Sequence, residues 1–277
     1  MYYDVFVRCW SKALKCYKFW VREIKRIRVG DGQQPITLIA GSNVSKTDAS
    51  LNAERMALSV EARIQNPRQI REPYEVTIKE HVVKEIDPNN VVTVNRYGAR
   101  VLNTTEYTIL DIDRCPFAFM DLFCSSKGDA KDRSVDRFKR RVMHYPELGT
   151  SFRVYETCKG IRVIGKKYFD PQAKQFPRVM RSLAVDSLYC TLSRKQNCYR
   201  ARLTPKAYRM KTETIQIKTP LDCEGDAYAA WQRKYDETSN GYSVVALREV
   251  VGKDFWDDPV ILFHDQLTRM RSGCPLA

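Results

Sequence analysis

Two carboxylates, Asp111 and Asp113, stand two residues apart at the end of an apolar run that begins at Tyr107. The run is rich in β-forming residues, and side chains alternate between the faces of a strand, so both carboxylates should point to one face. Two acids on one face repel each other unless a cation lies between them, and Mg²⁺ binds one or two carboxylates together with substrate phosphates. The spacing predicts a metal-assisted phosphate site. The alternative is a strand end whose acids are solvated or paired with arginines.

Residues that follow later in the chain could form the phosphate-binding side of such a site. They are Lys159, Gly160, Arg162, Arg200, Arg202 and Lys206. The glycine, in a hairpin turn, lets the backbone approach a ligand closely, and the last two arginines share one face of a short strand. We expect the carboxylates to hold a metal ion and the cations to hold a nucleotide triphosphate. The alternative is a solvated or salt-bridged strand face.

The order of these segments resembles the motifs of the archaeo-eukaryotic primase superfamily. The acidic strand is similar to its D-h-D pair, Thr157-Cys-Lys-Gly160 to the start of its hairpin motif, and Arg200-Ala-Arg202-Leu-Thr-Pro to its basic strand end. The resemblance covers roughly residues 91–210. It implies an RRM-like catalytic core and a metal-dependent, nucleotide-handling enzyme of primase–polymerase type that acts on nucleic acid with Mg²⁺ or Mn²⁺.

The resemblance also implies roles for single residues. Asp111 and Asp113 correspond to the catalytic, metal-binding pair, and Asp186 is the candidate for the third metal-binding acid. Gly160 corresponds to the hairpin glycine, and Arg162 stands where the family has a histidine. This departure puts the polymerase chemistry in doubt and leaves a non-catalytic nucleic-acid-binding subunit on the same fold as the alternative.

Charge and cysteine content narrow the class of protein. The chain has 277 residues, a net charge of +14 and a pI near 9.4, which favours a polyanionic partner: nucleic acid, nucleotides or an acidic membrane surface. Nine cysteines without a CxxC spacing predict reduced thiols in a cytoplasmic protein. Zinc bound by Cys115 with Cys124, or by Cys190 with Cys198, is the alternative, although neither spacing is typical of zinc sites.

The first 28 residues predict an amphipathic helix. Apolar side chains recur every three or four residues, at Tyr3, Val7, Trp10, Leu14, Tyr17, Val21 and Ile24. Lys12, Lys15 and Lys18 interrupt this stripe, so the helix cannot span a bilayer. It should pack on its own domain or on a protein partner, with a membrane surface as the alternative.

The periodicity of the chain predicts an α+β fold. An N-terminal helical region over residues 1–72 should precede a catalytic-type core with a C-terminal extension over residues 73–277. In the core, we expect an antiparallel or mixed sheet whose hairpins, with turns at residues 95–98 and 157–160, surround a central acidic strand.

Residues 40–47, Ala-Gly-Ser-Asn-Val-Ser-Lys-Thr, are similar to a P-loop between a short apolar run and a helix. Ser45 stands where that motif needs its last glycine so that the backbone can curl around phosphate. The segment predicts either a phosphohydrolase-type site at Lys46 or a loop followed by a helix N-cap.

Overall fold

The computed structural model of the protein describes residues 14–66, 77–113 and 129–277. The strands are β1 (Phe19–Val29), β2 (Gly32–Ser42), β3 (His81–Asp87), β4 (Asn90–Val94), β5 (Arg100–Thr104), β6 (Thr108–Asp113), β7 (Phe152–Thr157), β8 (Gly160–Gly165), β9 (Tyr199–Arg202) and β10 (Val245–Val251). The helices are α1 (Lys46–Gln65), α2 (Ala130–Val142), α3 (Phe176–Ser182), α4 (Ser187–Gln196), α5 (Asp226–Ser239) and α6 (Pro259–Leu267). Among these helices of the described ranges, none combines the length and the apolar composition that a membrane span requires.

The strands form three antiparallel sheets. Two are four-stranded, with the orders β10–β7–β8–β6 and β3–β4–β5–β9, and the third is the β1–β2 ribbon. The predicted α+β class is therefore confirmed, while an RRM-like primase-type core stays an expectation. Among the described strands, the acidic strand β6 lies at an edge of its sheet, so the prediction of a central strand was wrong.

The N-terminal region forms a ribbon where the sequence pattern predicted a helix as far as residue 28. β1 pairs with β2 from Phe19 opposite Ser42 to Val29 opposite Gly32, and Gly30 takes a φ of 60° in the turn. Apolar and charged residues also alternate along β1, as they do in a half-buried strand. The segment forms a strand and not a helix because α1 packs against its alternate apolar residues, such as Val21, Ile27 and Val29. The predicted partner-binding helix is thus absent from the described residues after position 14. Residues 1–13 and 67–76 lie outside the described residues, so the boundary at residue 72 stays a prediction.

The main hydrophobic core lies on both faces of the β10–β7–β8–β6 sheet. α2 covers one face, where the Phe138 and Phe152 rings meet edge to face at 5.4 Å. α6 covers the other face, where the His264 ring lies 5.1 Å from the ring of Tyr155. β8 is buried along its whole length, so its one charged residue, Arg162, requires a partner inside the protein.

A buried ionic network fixes the C-terminal segment to the same sheet. The Arg153 side chain is 1% exposed, donates to the Tyr155 hydroxyl at 2.7 Å, and pairs with Asp254 and Asp265. Asp265 also lies 2.9 Å from Nδ1 of His264. Burial lowers the pKa of His264, so the neutral imidazole is favoured. One buried guanidinium group is thus held between two carboxylates, which indicates a structural role.

Candidate phosphate-binding site

The two four-stranded sheets approach each other at their edge strands β6 and β9, and Arg162 of β8 connects them. Its Nε donates to Oδ1 of Asp111 in β6 at 3.0 Å, and its Nη1 donates to the main-chain oxygen of Arg202 in β9 at 2.8 Å. The Arg162 side chain is 3% exposed and that of Asp111 is 39% exposed. Asp111 therefore neutralises a buried guanidinium group. For this acid, the structure shows the alternative given by the sequence, in which the carboxylate is paired with an arginine.

Helix α4 holds the same two strand edges together. The Tyr189 hydroxyl lies 3.0 Å from the main-chain oxygen of Ile109 and 3.1 Å from that of Arg200. The main-chain N–H of Asp186 donates to the main-chain oxygen of Asp111 at 3.1 Å. The Asp186 carboxylate caps α4 by accepting a 2.6 Å hydrogen bond from the main-chain N–H of Tyr189. Asp186 thus lies beside the acidic strand, as the expected third acid should, but its carboxylate is engaged in capping.

We call the contacts of Arg162 with Asp111 and with the main chain of Arg202 the Arg162 bridge. Five cations, Arg162 among them, and one aromatic ring gather around this bridge, and we call this group the basic cluster. Its members are Lys159, Arg162, Arg202, Lys206, Tyr208 and Arg209, each close enough to another member to act on its pKa. They come from the β7–β8 turn, from β8 and β9, and from the segment that ends in the 3₁₀ helix Ala207–Met210. Four of the five cations predicted to bind phosphate are therefore brought together.

Arg202 is the least satisfied member of the basic cluster. Its Nε is buried and has no hydrogen-bond partner among the described residues. Burial, followed by the positive charge of Arg162, lowers the pKa of Arg202 to about 10, although the charge of Asp111 acts in the opposite direction. An anion in contact with Arg202 would supply both the missing charge and the missing acceptor.

Tyr208 presents an exposed ring between two cations. The residue is 58% exposed, and Nζ of Lys206 and Cζ of Arg209 lie 5.8 and 5.7 Å from the ring centroid, within cation–π range. Burial alone would raise the pKa of Tyr208, but a hydrogen bond with Arg209 and the charges of Lys206 and Lys159 outweigh burial and lower it. Burial, followed by the charge of Arg202, lowers the pKa of Lys206. Both shifts indicate a site with an excess of positive charge.

Sequence reasoning missed Tyr208 and Arg209, although the signal was present. The segment Lys206-Ala-Tyr-Arg209 places an aromatic residue between two cations directly after the basic strand. Rings interleaved with cations are typical of surfaces that bind single-stranded nucleic acid.

Arg200 shares a strand face with Arg202 but does not belong to the basic cluster. Its Nη2 lies 2.5 Å from Oε2 of Glu80, and 18% of its side chain is exposed. Burial acts to lower the pKa of Arg200, but the charge of Glu80 outweighs burial and raises it. Arg200 therefore forms a structural ion pair, and the structure does not place it with the other predicted phosphate ligands.

Gly160 is required by the packing of two strands. It lies opposite Asp113 in the β6–β8 ladder, and a Cβ atom at this position would come within 2.1 Å of the main-chain oxygen of Ile112. A side chain would therefore separate β6 from β8 and disturb the neighbouring Arg162 bridge. The sequence suggested that this glycine allows close approach to a ligand. It did not indicate that the close packing of β6 and β8 requires a glycine here.

Asp111 and Asp113 share a strand face, and the metal ion expected between them stays a prediction. Asp113 is exposed at the end of β6, and its carboxylate has no hydrogen bond or ion pair with the described residues. In the part of the chain that the structure describes, no three His, Cys, Asp or Glu side chains are grouped to hold a metal ion. Mg²⁺ or Mn²⁺ at this pair would therefore take most ligands from nucleotide phosphates and water.

The P-loop-like segment forms the start of α1. Ser45 is the N-cap and accepts a 3.0 Å hydrogen bond from the N–H of Asp48, while Lys46 pairs with Glu224 at 3.4 Å. Both residues thus have partners within the protein, and the segment is the loop followed by an N-cap that the sequence allowed as the second interpretation.

The thiols considered as zinc ligands are free where the structure describes them. Burial raises the pKa of Cys190 to about 11 and that of Cys198 to about 12, which disfavours the thiolates that bind zinc. Cys115 and Cys124 lie outside the described residues.

Comparisons with known proteins do not assign the chain to a family. No protein-family model matches it, and neither a curated protein nor a solved structure matches it. The resemblance to the primase superfamily therefore rests on its short motifs and stays an expectation, whereas the Arg162 bridge and the basic cluster are features of this chain's own geometry.

Proposed function

We propose that the protein binds nucleic acid through its phosphates and that the basic cluster is the binding site. The observation that carries the proposal is Arg202, a cation whose buried Nε has no partner among the described residues. A buried guanidinium nitrogen without a hydrogen-bond partner is costly inside a protein, and a phosphate diester supplies both a negative charge and strong acceptors. The net charge of +14 favours a polyanion over a small acid.

The composition of the basic cluster favours several phosphates over one. Among the described residues, Asp111 is the carboxylate that acts on the pKa of Arg202, and Arg162 already pairs with it, so the five cations of the cluster have little negative charge to balance them. The exposed ring of Tyr208 offers a surface on which a base can stack while Lys206 and Arg209 contact the neighbouring phosphates. DNA and RNA share this chemistry.

The role we propose is that of a nucleic-acid-binding subunit, the alternative that the sequence left open beside catalysis. Asp111 supports it, because Oδ1 of this carboxylate accepts a hydrogen bond from Nε of Arg162. A carboxylate that neutralises a buried guanidinium group has a structural reason to be present without any metal chemistry.

Exchange of Lys206 and Arg209 for glutamine should weaken binding of a labelled single-stranded oligonucleotide at least tenfold at about 50 mM salt. Each lost phosphate contact removes about 0.7 from the slope of log K against log[salt] on a single strand, so the slope should fall by about 1.4. Fluorescence anisotropy titrations over a series of salt concentrations measure both quantities.

Arg233→Gln/Lys234→Gln is the matched control, because it removes the same two charges from exposed positions of α5. This control should leave the oligonucleotide affinity within about twofold of the wild type. Equal losses in the two double variants would show that only net charge matters, and the basic cluster would no longer be the site.

Metal-dependent nucleotidyl transfer of primase–polymerase type is the second candidate, carried by the exposed carboxylate of Asp113 beside Asp111. In this function Lys159, Arg202 and Lys206 would hold nucleotide phosphates. Asp113→Ala should then abolish Mn²⁺ binding measured by calorimetry with a nucleoside triphosphate present. A wild-type protein without a Mn²⁺-dependent signal under these conditions would exclude this candidate.

A further inference from the structure

Helix α1 covers one face of the β1–β2 ribbon, and the other face, which we call the free face, is exposed among the described residues from position 22 to position 28 of β1. On the covered face, Ala53 and Ala57 of α1 pack against Ile27 and Leu38. Side chains alternate along a strand, so every second residue of β1 points away from α1. The exposed residues of β1 on the free face are Arg22, Ile24, Arg26 and Arg28.

The free face carries arginines, and neither strand contributes an acid to it. The β2 residues opposite the four exposed β1 residues are Ile39, Thr37, Pro35 and Gln33. Arg26 and Arg28 are exposed, and their guanidinium groups make no hydrogen bond or ion pair with the described residues. Nη2 of Arg22 donates to Oγ1 of Thr219 at 3.3 Å and lies 3.6 Å from Oδ1 of Asp222, and 52% of the Arg22 side chain is exposed. Among the described residues, the positive charges of Arg26 and Arg28 therefore have no compensation on this face.

The acids of this part of the chain lie toward the covered side. Lys25 on the covered face pairs with Glu23 at 2.7 Å and with Glu54 of α1 at 3.2 Å. Glu61 of α1 accepts a 2.9 Å hydrogen bond from the main-chain N–H of Arg28. One side of the ribbon is thus neutralised internally, and the guanidinium groups of Arg26 and Arg28 on the other side are available to a partner.

We propose that the free face of the β1–β2 ribbon binds in the major groove of double-stranded DNA. This groove is about 12 Å wide and admits a two-stranded antiparallel ribbon. The stretch of β1 that carries the exposed residues, positions 22–28, extends over about 23 Å, which is about two thirds of one helical turn of DNA. Guanidinium groups bind phosphate oxygens and the O6 and N7 atoms of guanine, and Ile24, 71% exposed between the arginines, suits contact with a thymine methyl group.

Charge and shape together select duplex DNA over other anionic partners. A membrane surface would require several apolar side chains that insert between lipids, whereas Ile24 stands alone among arginines in β1. The major groove of an RNA duplex is deep and too narrow for side chains to read. The ribbon is a different surface from the basic cluster, so this inference does not depend on the function proposed for that site.

Arg26→Gln/Arg28→Gln should weaken binding of a labelled DNA duplex of about 20 base pairs at least tenfold at about 50 mM salt. The slope of log K against log[salt] should fall by about 1.8, which is 0.9 for each lost duplex contact. Ile24→Ser should weaken duplex binding without a change in this slope, because it removes an apolar contact. Affinity for a single strand should stay within about twofold in both variants.

Two comparisons keep the test independent of folding and of the basic cluster. Both ribbon variants should melt at the wild-type temperature, since the exchanged side chains are exposed. Arg233→Gln/Lys234→Gln should leave duplex affinity unchanged, and an equal loss in this control would overturn the proposal. A wild-type protein that does not bind duplex, or duplex binding that Lys206→Gln/Arg209→Gln abolishes while the ribbon variants retain it, would also overturn it.

Discussion

Replacing Asp111 by alanine should lower the free energy of unfolding by about 2–3 kcal/mol, because the buried guanidinium group of Arg162 then loses its carboxylate. The loss stays below that of a fully enclosed pair, since 39% of the Asp111 side chain is exposed and water can reach the vacated position. For a chain of 277 residues this corresponds to a decrease in Tm of about 3–5 °C. Thermal and denaturant unfolding followed by circular dichroism measure both quantities.

Asp113→Ala is the matched control for this experiment. Asp113 lies two residues away on the same strand face, is exposed, and pairs with none of the described residues, so its loss should change stability by no more than about 0.5 kcal/mol. Asp111→Asn should give an intermediate loss, because the amide oxygen can still accept a hydrogen bond from Nε of Arg162. Equal melting temperatures for the two alanine variants would show that the Asp111–Arg162 pair contributes nothing to stability.

The same two variants separate the candidate functions. If the carboxylates bind a metal ion together, each alanine variant should lose Mn²⁺ affinity. If Asp111 serves only to neutralise Arg162, Asp111→Ala should lower stability and Asp113→Ala should retain nucleic-acid binding. Stability and metal binding are therefore measured on the same samples.

Local signals predicted two hairpins of the core. The turns at residues 95–98 and 157–160 are flanked by alternating apolar residues, and β4–β5 and β7–β8 form there as expected. The N-terminal prediction failed because β1 satisfies two periods at once. Its apolar residues fall at helical spacing, but pairing with β2 and the packing of α1 stabilise the strand, and neither partner is visible within a short window of sequence.

The residue types of the site could be predicted, but their pairing could not. Asp111 meets Arg162 because β6 and β8 pair in one particular register, although 51 positions separate these residues in the chain. Arg200 meets Glu80 across 120 positions. Strand spacing shows that two arginines share a face, but it does not show which acids the folded chain brings to that face.

Arg202→Met should raise Tm and weaken nucleic-acid binding at the same time. The variant removes a cation whose buried Nε has no partner among the described residues, and apolar replacement of buried charges is often neutral or stabilising by about 1–4 kcal/mol. The lost contact with phosphate should weaken binding by about 1–3 kcal/mol, which is roughly tenfold or more. Thermal melting and anisotropy titration with a single-stranded oligonucleotide measure the two effects.

Arg200→Met provides the control from the same strand and should give the opposite pattern. Its guanidinium group pairs with Glu80, so the variant leaves that carboxylate, 16% exposed, without its partner and should lower Tm. Oligonucleotide affinity should persist, because Arg200 lies outside the basic cluster. If Arg202→Met instead melts at a lower temperature with unchanged affinity, Arg202 is a structural residue and the basic cluster is not the phosphate site. If Arg200→Met alone loses affinity, phosphate binds at the Glu80 end of β9.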